Sequence, residues 1–162
     1  MALCFMVFTD YFFIFIAKYL HLLAGAIALI WFWKAPKEQK KDIVIFSIIA
    51  LLAIYAAGKI SAWLYFNPRP FVVGDFTPLV LHKPDNGFPS KHVLLVSAIA
   101  SIIFPFSKKV SASVWLIASL VGIARVYVGV HHSVDVIGSV VISIAMSTFV
   151  YFIFKNLILS KR

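Results

Sequence analysis

The sequence has one cysteine, Cys4, and few charged side chains, which make up 13% of its 162 residues. A lone cysteine excludes an intrachain disulfide and offers no pair of thiols with metal-ligating spacing. A soluble domain carries about 25% charged and roughly 45–50% apolar residues, whereas this chain is 62% hydrophobic with a mean hydropathy of +0.99. A globule of this size cannot bury so much apolar surface, so we expect lipid to solvate much of it.

Apolar segments long enough to cross a bilayer, about 20 residues each, occur four times: Tyr11–Trp33, Ile43–Phe66, Val110–Val128 and Ser133–Phe154. A fifth segment, Val93–Phe106, is shorter, which is tolerable if its first residues face a protein-lined cavity rather than lipid. No basic region precedes the first apolar run and Lys18 interrupts it, so we expect no cleaved signal peptide. The pattern predicts an all-α, polytopic membrane bundle of about five transmembrane helices, forming a single domain over residues 1–162.

Acidic residues are also scarce, six against fifteen Lys and Arg, and the net charge is +9. In a five-span topology three basic clusters fall on one side: Lys34, Lys37, Lys40 and Lys41; Lys108 and Lys109; and Lys155, Lys161 and Arg162. Such an excess marks the cytoplasmic side of a membrane protein and indicates no nucleic-acid partner. The N-terminus, the Asn67–His92 loop and the Arg125–Ser133 turn are then expected to face outward.

Ionisable residues inside or beside membrane spans are costly, and they are functional candidates by default. Here they gather at the outer ends of four predicted helices: Lys59, Arg69, Lys91, His92, Arg125, His131, His132 and Asp135. Snorkelling explains a single Lys or Arg at such a place. It does not explain cations, histidines and a carboxylate converging on one face.

The spacing of these residues suits phosphoryl transfer. His131 and Asp135 are four residues apart and share one face of a helix, so the carboxylate can hold one ring nitrogen and leave the other free as a nucleophile. Arg125 offers a planar fork for phosphate oxygens. Ser90 and the amides that open the next helix form an anion-binding patch, and His92 can protonate a leaving oxygen.

A metal site built from His92, His131, His132 and Asp135 is the alternative chemical interpretation. The neighbouring Arg and Lys side chains would repel a divalent cation and attract a phosphate, and the sequence contains no HExxH pair. Three or four fixed cations can take the place of magnesium around a transferred phosphoryl group. We therefore expect no metal and no cofactor.

These segments resemble the motifs of the type 2 phosphatidic acid phosphatases, which share a core with vanadium haloperoxidases. The family motif Ser-Arg-x5-His-x3-Asp is matched in spacing by Arg125, His131 and Asp135. The Pro-Ser-Gly-His motif is similar to residues 89–92, and the arginine end of the Lys-x6-Arg-Pro motif is similar to residues 67–71. The motifs appear in family order between Lys59 and Gly138, and they imply that family's helical membrane core.

Three positions depart from the family pattern. Ala124 replaces the serine before the arginine, and Lys91 replaces the glycine of Pro-Ser-Gly-His. Lys59 lies ten residues before Arg69 instead of seven, and the position that the pattern gives to lysine holds Ala62. Either Lys59 reaches the phosphate from one turn away, or Lys91 supplies the missing cation.

The resemblance implies a role for each motif residue. His131 would attack phosphorus and become a phosphohistidine, oriented by Asp135, while His92 would protonate the leaving group and then activate water. The phosphoryl oxygens would be held by Arg69, Arg125, Ser90 and a lysine, Lys59 or Lys91. Four further residues receive structural interpretations: His132 as an exposed neighbour, Lys18 as a snorkelling cation, His21 as a satisfied buried histidine and His82 as a solvent-exposed loop residue. Contact with a substrate headgroup is the alternative for Lys18 and His21, near the outer half of the first span.

By the same resemblance the partners are membrane lipid and a lipid phosphate substrate, cleaved at the outer face of a bacterial cytoplasmic membrane. The compact size and the Asn-Pro-Arg-Pro-Phe element favour undecaprenyl diphosphate. Lipid A and phosphatidylglycerol phosphate are the alternative substrates. A non-enzymatic alternative is an anion-binding transporter or channel subunit, against which five spans without an inverted repeat argue.

Overall fold

The computed structural model describes the backbone of residues 2–157 and the side chains of residues 7–156, so Lys161 and Arg162 lie outside the described residues. Within them the chain forms six helices: α1 (Ala2–Lys34), α2 (Lys37–Leu64), α3 (Pro70–Val73), α4 (Lys91–Ile103), α5 (Lys108–Tyr127) and α6 (Ser133–Leu157). The predicted all-helical class is confirmed. The single-turn helix α3, in the loop after α2, was not predicted.

Four helices, α1, α2, α5 and α6, are long and apolar enough to cross a membrane, and the multi-pass prediction is confirmed for them. The fifth predicted span corresponds to α4, which has 13 residues and is therefore only about 20 Å long. Large apolar side chains on the long helices, such as Leu29, Leu52 and Phe149, are exposed, as expected for surfaces in contact with lipid.

The short helix α4 lies at the centre of the bundle, packed against all four long helices. Eight of its thirteen residues are buried, among them Val93, Val96 and Ala100. Because protein rather than lipid surrounds most of α4, it does not need the length of a bilayer span. Its N-terminus, which carries Ser90 and His92, can therefore lie in a recess between the longer helices.

Small residues bring the helices close to α4. Ala24 of α1 and Ala118 of α5 are buried in one core cluster with α4 residues, and small side chains at such interfaces let backbones approach. Serines connect α6 to the same helix: Ser139 Oγ donates to the carbonyl of Ser90 at 3.1 Å, and Ser143 Oγ donates to that of Leu94 at 3.2 Å. These contacts hold the second and third turns of α6 against the first turn of α4.

The loop between α2 and α4 and the turn between α5 and α6 meet at one end of the bundle. The Leu79 amide donates to the Val128 carbonyl at 3.1 Å, which joins the two segments. Gly129 turns the chain out of α5 with a φ of +78°, a conformation open to glycine at little cost. A side chain there would also collide with the ring of Phe76.

Candidate active site

The site is centred on the imidazole of His131, which the turn between α5 and α6 places between two arginines. Its Nδ1 lies 3.2 Å from Oδ2 of Asp135. Its Nε2 faces Nη1 of Arg69 at 3.4 Å and Nη2 of Arg125 at 3.5 Å. Since a carboxylate only accepts hydrogen bonds, Nδ1 carries the proton and Nε2 keeps its lone pair, directed at the space beside the guanidinium groups.

Asp135 is fully buried and holds three donors. Besides His131, the backbone amide of His132 donates to Oδ2 at 2.9 Å, and the side-chain amide of Asn67 donates to Oδ1 at 2.7 Å. Buried carboxylates need such donors to offset the loss of water. The first turn of α6 and the loop before α3 therefore fix the carboxylate that orients His131.

Arg69 reaches the site from the loop between α2 and α3 and is almost fully buried. Its Nε donates to Oδ1 of Asp85 at 2.8 Å, and its Nη1 donates to the carbonyl of Val130 at 2.7 Å. Burial works to raise the pKa of Asp85, but the hydrogen bond and charge of Arg69 outweigh it and hold that pKa below its ordinary value of 3.8. Asp85 thus stays ionised and neutralises part of the charge on Arg69.

Arg125 lies in the last turn of α5 and is also buried. Its Nε has no hydrogen-bond partner within the described protein, and the same is true of Ser90 Oγ at the start of α4. Buried polar atoms are nearly always paired, and two guanidinium groups beside one imidazole repel each other unless an anion lies between them. The orphaned donors and the paired arginines therefore mark a place for an anionic group with several oxygens.

The burial of His131 has an electrostatic consequence. Burial lowers the pKa of His131 below its ordinary value of 6.5, and the charges of Arg125 and Arg69 lower it further, against the opposing effect of the hydrogen bond to Asp135. The imidazole is therefore neutral at neutral pH. A neutral ring with a free Nε2 lone pair is the form that can act as a nucleophile.

His92, in the first turn of α4, lies near the same cluster, because the backbone amide of Ser90, two residues earlier, donates to the carbonyl of Asp135 at 3.3 Å. Two other histidines, His82 and His132, lie in surroundings that differ from the prediction. His82, predicted to be solvent-exposed, is only 26% exposed and its ring centroid lies 6.3 Å from that of His131. Burial and the two arginines lower the pKa of His82, so it too adds little positive charge at neutral pH.

The prediction for His132, an exposed neighbour of the nucleophile, is also wrong. The residue is half-buried, its amide donates to Asp135, and its Nε2 lies 3.2 Å from the carbonyl of Pro68. His132 therefore joins the turn before α6 to the loop that carries Arg69. Lys18, predicted to snorkel, is exposed on α1.

The two candidate lysines lie elsewhere. Lys59 and Lys91 both line a groove of about 740 Å³ between α2 and α4, together with Ala62 and the wall formed by Asp85 and Asn86. The amine of Lys59 sits 5.7 Å over the ring of Tyr55, one turn deeper in the membrane. Lys91 is close enough to Asp85 for its charge to act on that carboxylate. The lysine contact with phosphate thus stays a prediction.

Six of the eight predicted site residues converge at the recess: His131, Asp135, His92, Ser90, Arg69 and Arg125. Sequence reasoning gave no role to Asn67, Asp85 or Asn86, which hold the predicted residues in place. Asn86 donates to the carbonyls of Ala62 and Tyr65. Asn67 belongs to the Asn-Pro-Arg-Pro-Phe element, in which only the arginine was predicted to bind phosphate. In the described part of the chain, no three His, Cys, Asp or Glu side chains are grouped so as to hold a metal ion.

Comparison with known proteins gives three findings. The family model described as PAP2 superfamily matches residues 43–159. A Bacillus licheniformis protein named bacitracin transport permease protein BcrC is 33% identical over 139 residues, covering 85% of this chain and 68% of that protein. The Bacillus subtilis (strain 168) protein named undecaprenyl-diphosphatase BcrC is 31% identical over 145 residues, covering 90% of this chain and 74% of that protein.

The fold is also found in a solved structure. The crystal structure of Aquifex aeolicus LpxE matches with a TM-score of 0.63, covering 90% of this chain and 86% of that chain at 24% identity. This likeness concerns the arrangement of the helices. The family match, by contrast, covers all eight predicted site residues and leaves α1, with His21, outside.

Proposed function

The chain belongs to the PAP2 superfamily, and on that premise we propose that it is a membrane lipid phosphatase that hydrolyses undecaprenyl diphosphate to undecaprenyl phosphate and inorganic phosphate. The observation that carries the proposal is the imidazole of His131, held at Nδ1 by Asp135 and flanked at Nε2 by Arg69 and Arg125. Phosphoryl transfer through a covalent intermediate requires a nucleophile beside groups that bind the phosphate.

In the first step, Nε2 of His131 attacks the terminal phosphorus and the bond from phosphorus to the bridging oxygen breaks. The lipid phosphate leaves with that oxygen, which receives a proton from His92. The product on the protein is a phosphohistidine, and Asp135 stabilises the positive charge that develops on the ring. Arg69 and Arg125 stabilise the equatorial oxygens, and Ser90 Oγ, unpaired in the described structure, donates to one of them.

In the second step, His92 has lost its proton and accepts one from a water molecule, which attacks the same phosphorus. The phosphorus–nitrogen bond breaks, inorganic phosphate is released, and the lone pair returns to Nε2 of His131. The protonation state of each histidine is then restored. No step requires a metal ion, because the arginines supply the positive charge that magnesium supplies in other phosphoryl transfers.

The substrate assignment is supported by the name of the B. subtilis relative, undecaprenyl-diphosphatase. The described side chains recognise phosphate, so lipid A and phosphatidylglycerol phosphate are compared in the same assay. The second candidate is a transporter that binds an anion without hydrolysing it, and the B. licheniformis relative is named a bacitracin transport permease protein. The presence of an oriented nucleophile beside the anion pocket favours the enzyme.

The proposed location is the bacterial cytoplasmic membrane, with the N-terminus and His131 on the outer side. Basic residues at the other end of the bundle support this orientation: Lys34 and Lys37 at the α1–α2 connection, and Lys108 and Lys109 at the start of α5. Lys and Arg are enriched on the cytoplasmic side. The reacting phosphate would then be cleaved outside the cytoplasm.

The test is phosphate release by purified protein from the three lipids, with chelator present throughout. We expect release from undecaprenyl diphosphate by the wild type and none above background by His131→Ala. Full activity of His131→Ala would contradict the assigned nucleophile. Loss of wild-type activity in chelator would point to a metal site, and anion binding without phosphate release from any of the three lipids would favour the permease-like candidate.

A further inference from the structure

His21 lies on the protein-facing side of α1, in contact with His92. The ring centroids are 4.7 Å apart and the rings are nearly perpendicular, with an interplanar angle of 79°. Ala17 and Ala24, one turn before and after His21, are fully buried. Residues at this spacing share one helix face, and the small alanines let that face approach α4 closely. His21 is therefore packed against the cluster by the fold.

Among the described residues, no hydrogen bond explains why a histidine occupies this position. Nδ1 of His21 is buried and has no hydrogen-bond partner among the described residues, although a satisfied histidine was predicted. Burying an unpaired polar atom costs free energy, and an ionisable residue that faces the interior of a membrane bundle is a functional candidate by default. His21 also lies outside residues 43–159, so the family motifs assign it nothing.

The proposed mechanism requires the His92 ring to point a proton at the leaving oxygen. Rotation about χ2 of a histidine has broad minima, so the backbone of α4 alone does not fix the direction of the ring nitrogens. An edge-to-face contact with a second ring restricts that rotation. Its neighbour His131 cannot serve this purpose, because that ring is held by Asp135 and receives the phosphoryl group.

We infer that His21 is a positioning residue for His92: its ring holds the His92 imidazole in the orientation that protonates the leaving oxygen. The inference rests on the proposed function, since it gives His21 a role only through the proton donor. The effect of removing the His21 ring should therefore depend on how much the leaving group needs a proton. A substitution that damaged the whole fold would lower kcat/KM for all substrates alike.

The experiment compares kcat/KM for two soluble substrates, p-nitrophenyl phosphate and phenyl phosphate. Both place a phosphate in the same pocket, but p-nitrophenolate is a weak base that leaves without a proton, whereas phenolate is a stronger base that needs one. Because kcat/KM covers the first step and not the later release of phosphate from His131, the ratio of the two values reports proton donation. The ratio is measured for the wild type, His21→Ala and His21→Phe.

Two further variants give the largest expected ratio and the unchanged ratio. His92→Ala, which lacks the proton donor, gives the largest expected rise in the ratio, since general acids contribute about 100-fold or more. Lys18→Gln, at an exposed position one turn before His21 on α1, is the matched control and should leave the ratio unchanged. Size-exclusion profiles and thermal denaturation midpoints establish that each variant is folded.

We expect His21→Ala to raise the ratio about 10-fold, as a misplaced proton donor would, and His21→Phe, which keeps a ring in contact, to stay within about twofold of the wild type. Equal losses on both substrates in His21→Ala, an unchanged ratio, or the same ratio for Phe as for Ala would each overturn the inference. Failure of the wild type on these substrates and on undecaprenyl diphosphate would instead contradict the proposed function.

Discussion

Asn67 donates a hydrogen bond of 2.7 Å from its side-chain amide to Oδ1 of Asp135, a residue 68 positions later in the chain. Asp135 in turn orients His131. The loop after α2 is therefore connected to His131, the proposed nucleophile, through one amide. Hydrogen bonds to a charged group contribute about 1.5–3 kcal/mol, which is enough for their loss to be measurable in kinetics.

We expect Asn67→Ala to lower kcat/KM for undecaprenyl diphosphate by about 10- to 100-fold, because Asp135 loses one of its three donors. Asn67→Asp should be less active still, since two carboxylates would then face each other at hydrogen-bond distance. The measurement is phosphate release by the two variants at equal protein concentration. An aspartate variant as active as the wild type would show that this contact does not orient Asp135.

Gly87 is predicted to tolerate no side chain. A Cβ at Gly87 would lie 2.9 Å from Oδ2 of Asp135 and 3.2 Å from the carbonyl of Asn67. Both atoms are fixed by hydrogen bonds, so the carboxylate or the loop must move. We expect Gly87→Ala to lower kcat by about 100-fold, the effect of displacing a reacting group by about 1 Å. Gly25→Ala is the control, because nothing lies within 4 Å of a Cβ there; equal activity of the two variants would refute the prediction.

The protonation of His131 can be followed directly. Its pKa is lowered by burial and by the two arginines, so the folded protein binds a proton at His131 less readily than the unfolded chain. The stability linked to neutral His131 is present above pH 6.5 and is lost as pH falls through the lower folded pKa. NMR of ¹⁵N-histidine side chains, with His131→Gln for assignment, should give a midpoint below 6.5.

The variant Asp135→Asn tests how Asp135 affects the pKa of His131. It removes the carboxylate whose hydrogen bond works to raise the pKa of His131, so the midpoint should fall further. A midpoint at or above 6.5 in the wild type, or a rise in the variant, would contradict the electrostatic description of the site.

Asp85 gives a pH dependence of the same direction, at lower pH. Its folded pKa is lowered by Arg69, so its ionisation stabilises the folded state above the ordinary value of 3.8, and this contribution is lost as pH falls through the folded pKa. Asp85→Asn should denature at a lower temperature than the wild type between pH 5 and 7, and the difference should shrink below about pH 4. Asp75→Asn, an exposed carboxylate in the same loop, should show no such difference.

The helices and the local part of the site were predictable from the sequence. His131 and Asp135 are four residues apart at the start of one helix, and helical geometry alone brings them together. Four long spans and one short one follow from the length of apolar runs. The short α4 was correctly placed because a polar segment precedes it directly.

The supporting contacts were not predictable in the same way. Asp85 and Asn86 reach Arg69 and the end of α2 because of the path of a long loop, and no periodicity encodes that path. The environment of His82 was misjudged for the same reason, since its loop folds back over His131. Lys59 lies three residues before Ala62, the position that the family pattern gives to lysine, and it lines a groove between α2 and α4.

The enclosure of α4 separates the site from the physical state of the bilayer. Changes in membrane thickness act on lipid-facing helices by altering their tilt, and α1, α2, α5 and α6 supply those surfaces. Ser90 and His92 begin a helix that is mostly surrounded by protein, so such strain reaches them only through side-chain packing. We therefore expect the proposed proton donor and anion pocket to keep their relative positions in membranes of different lipid composition.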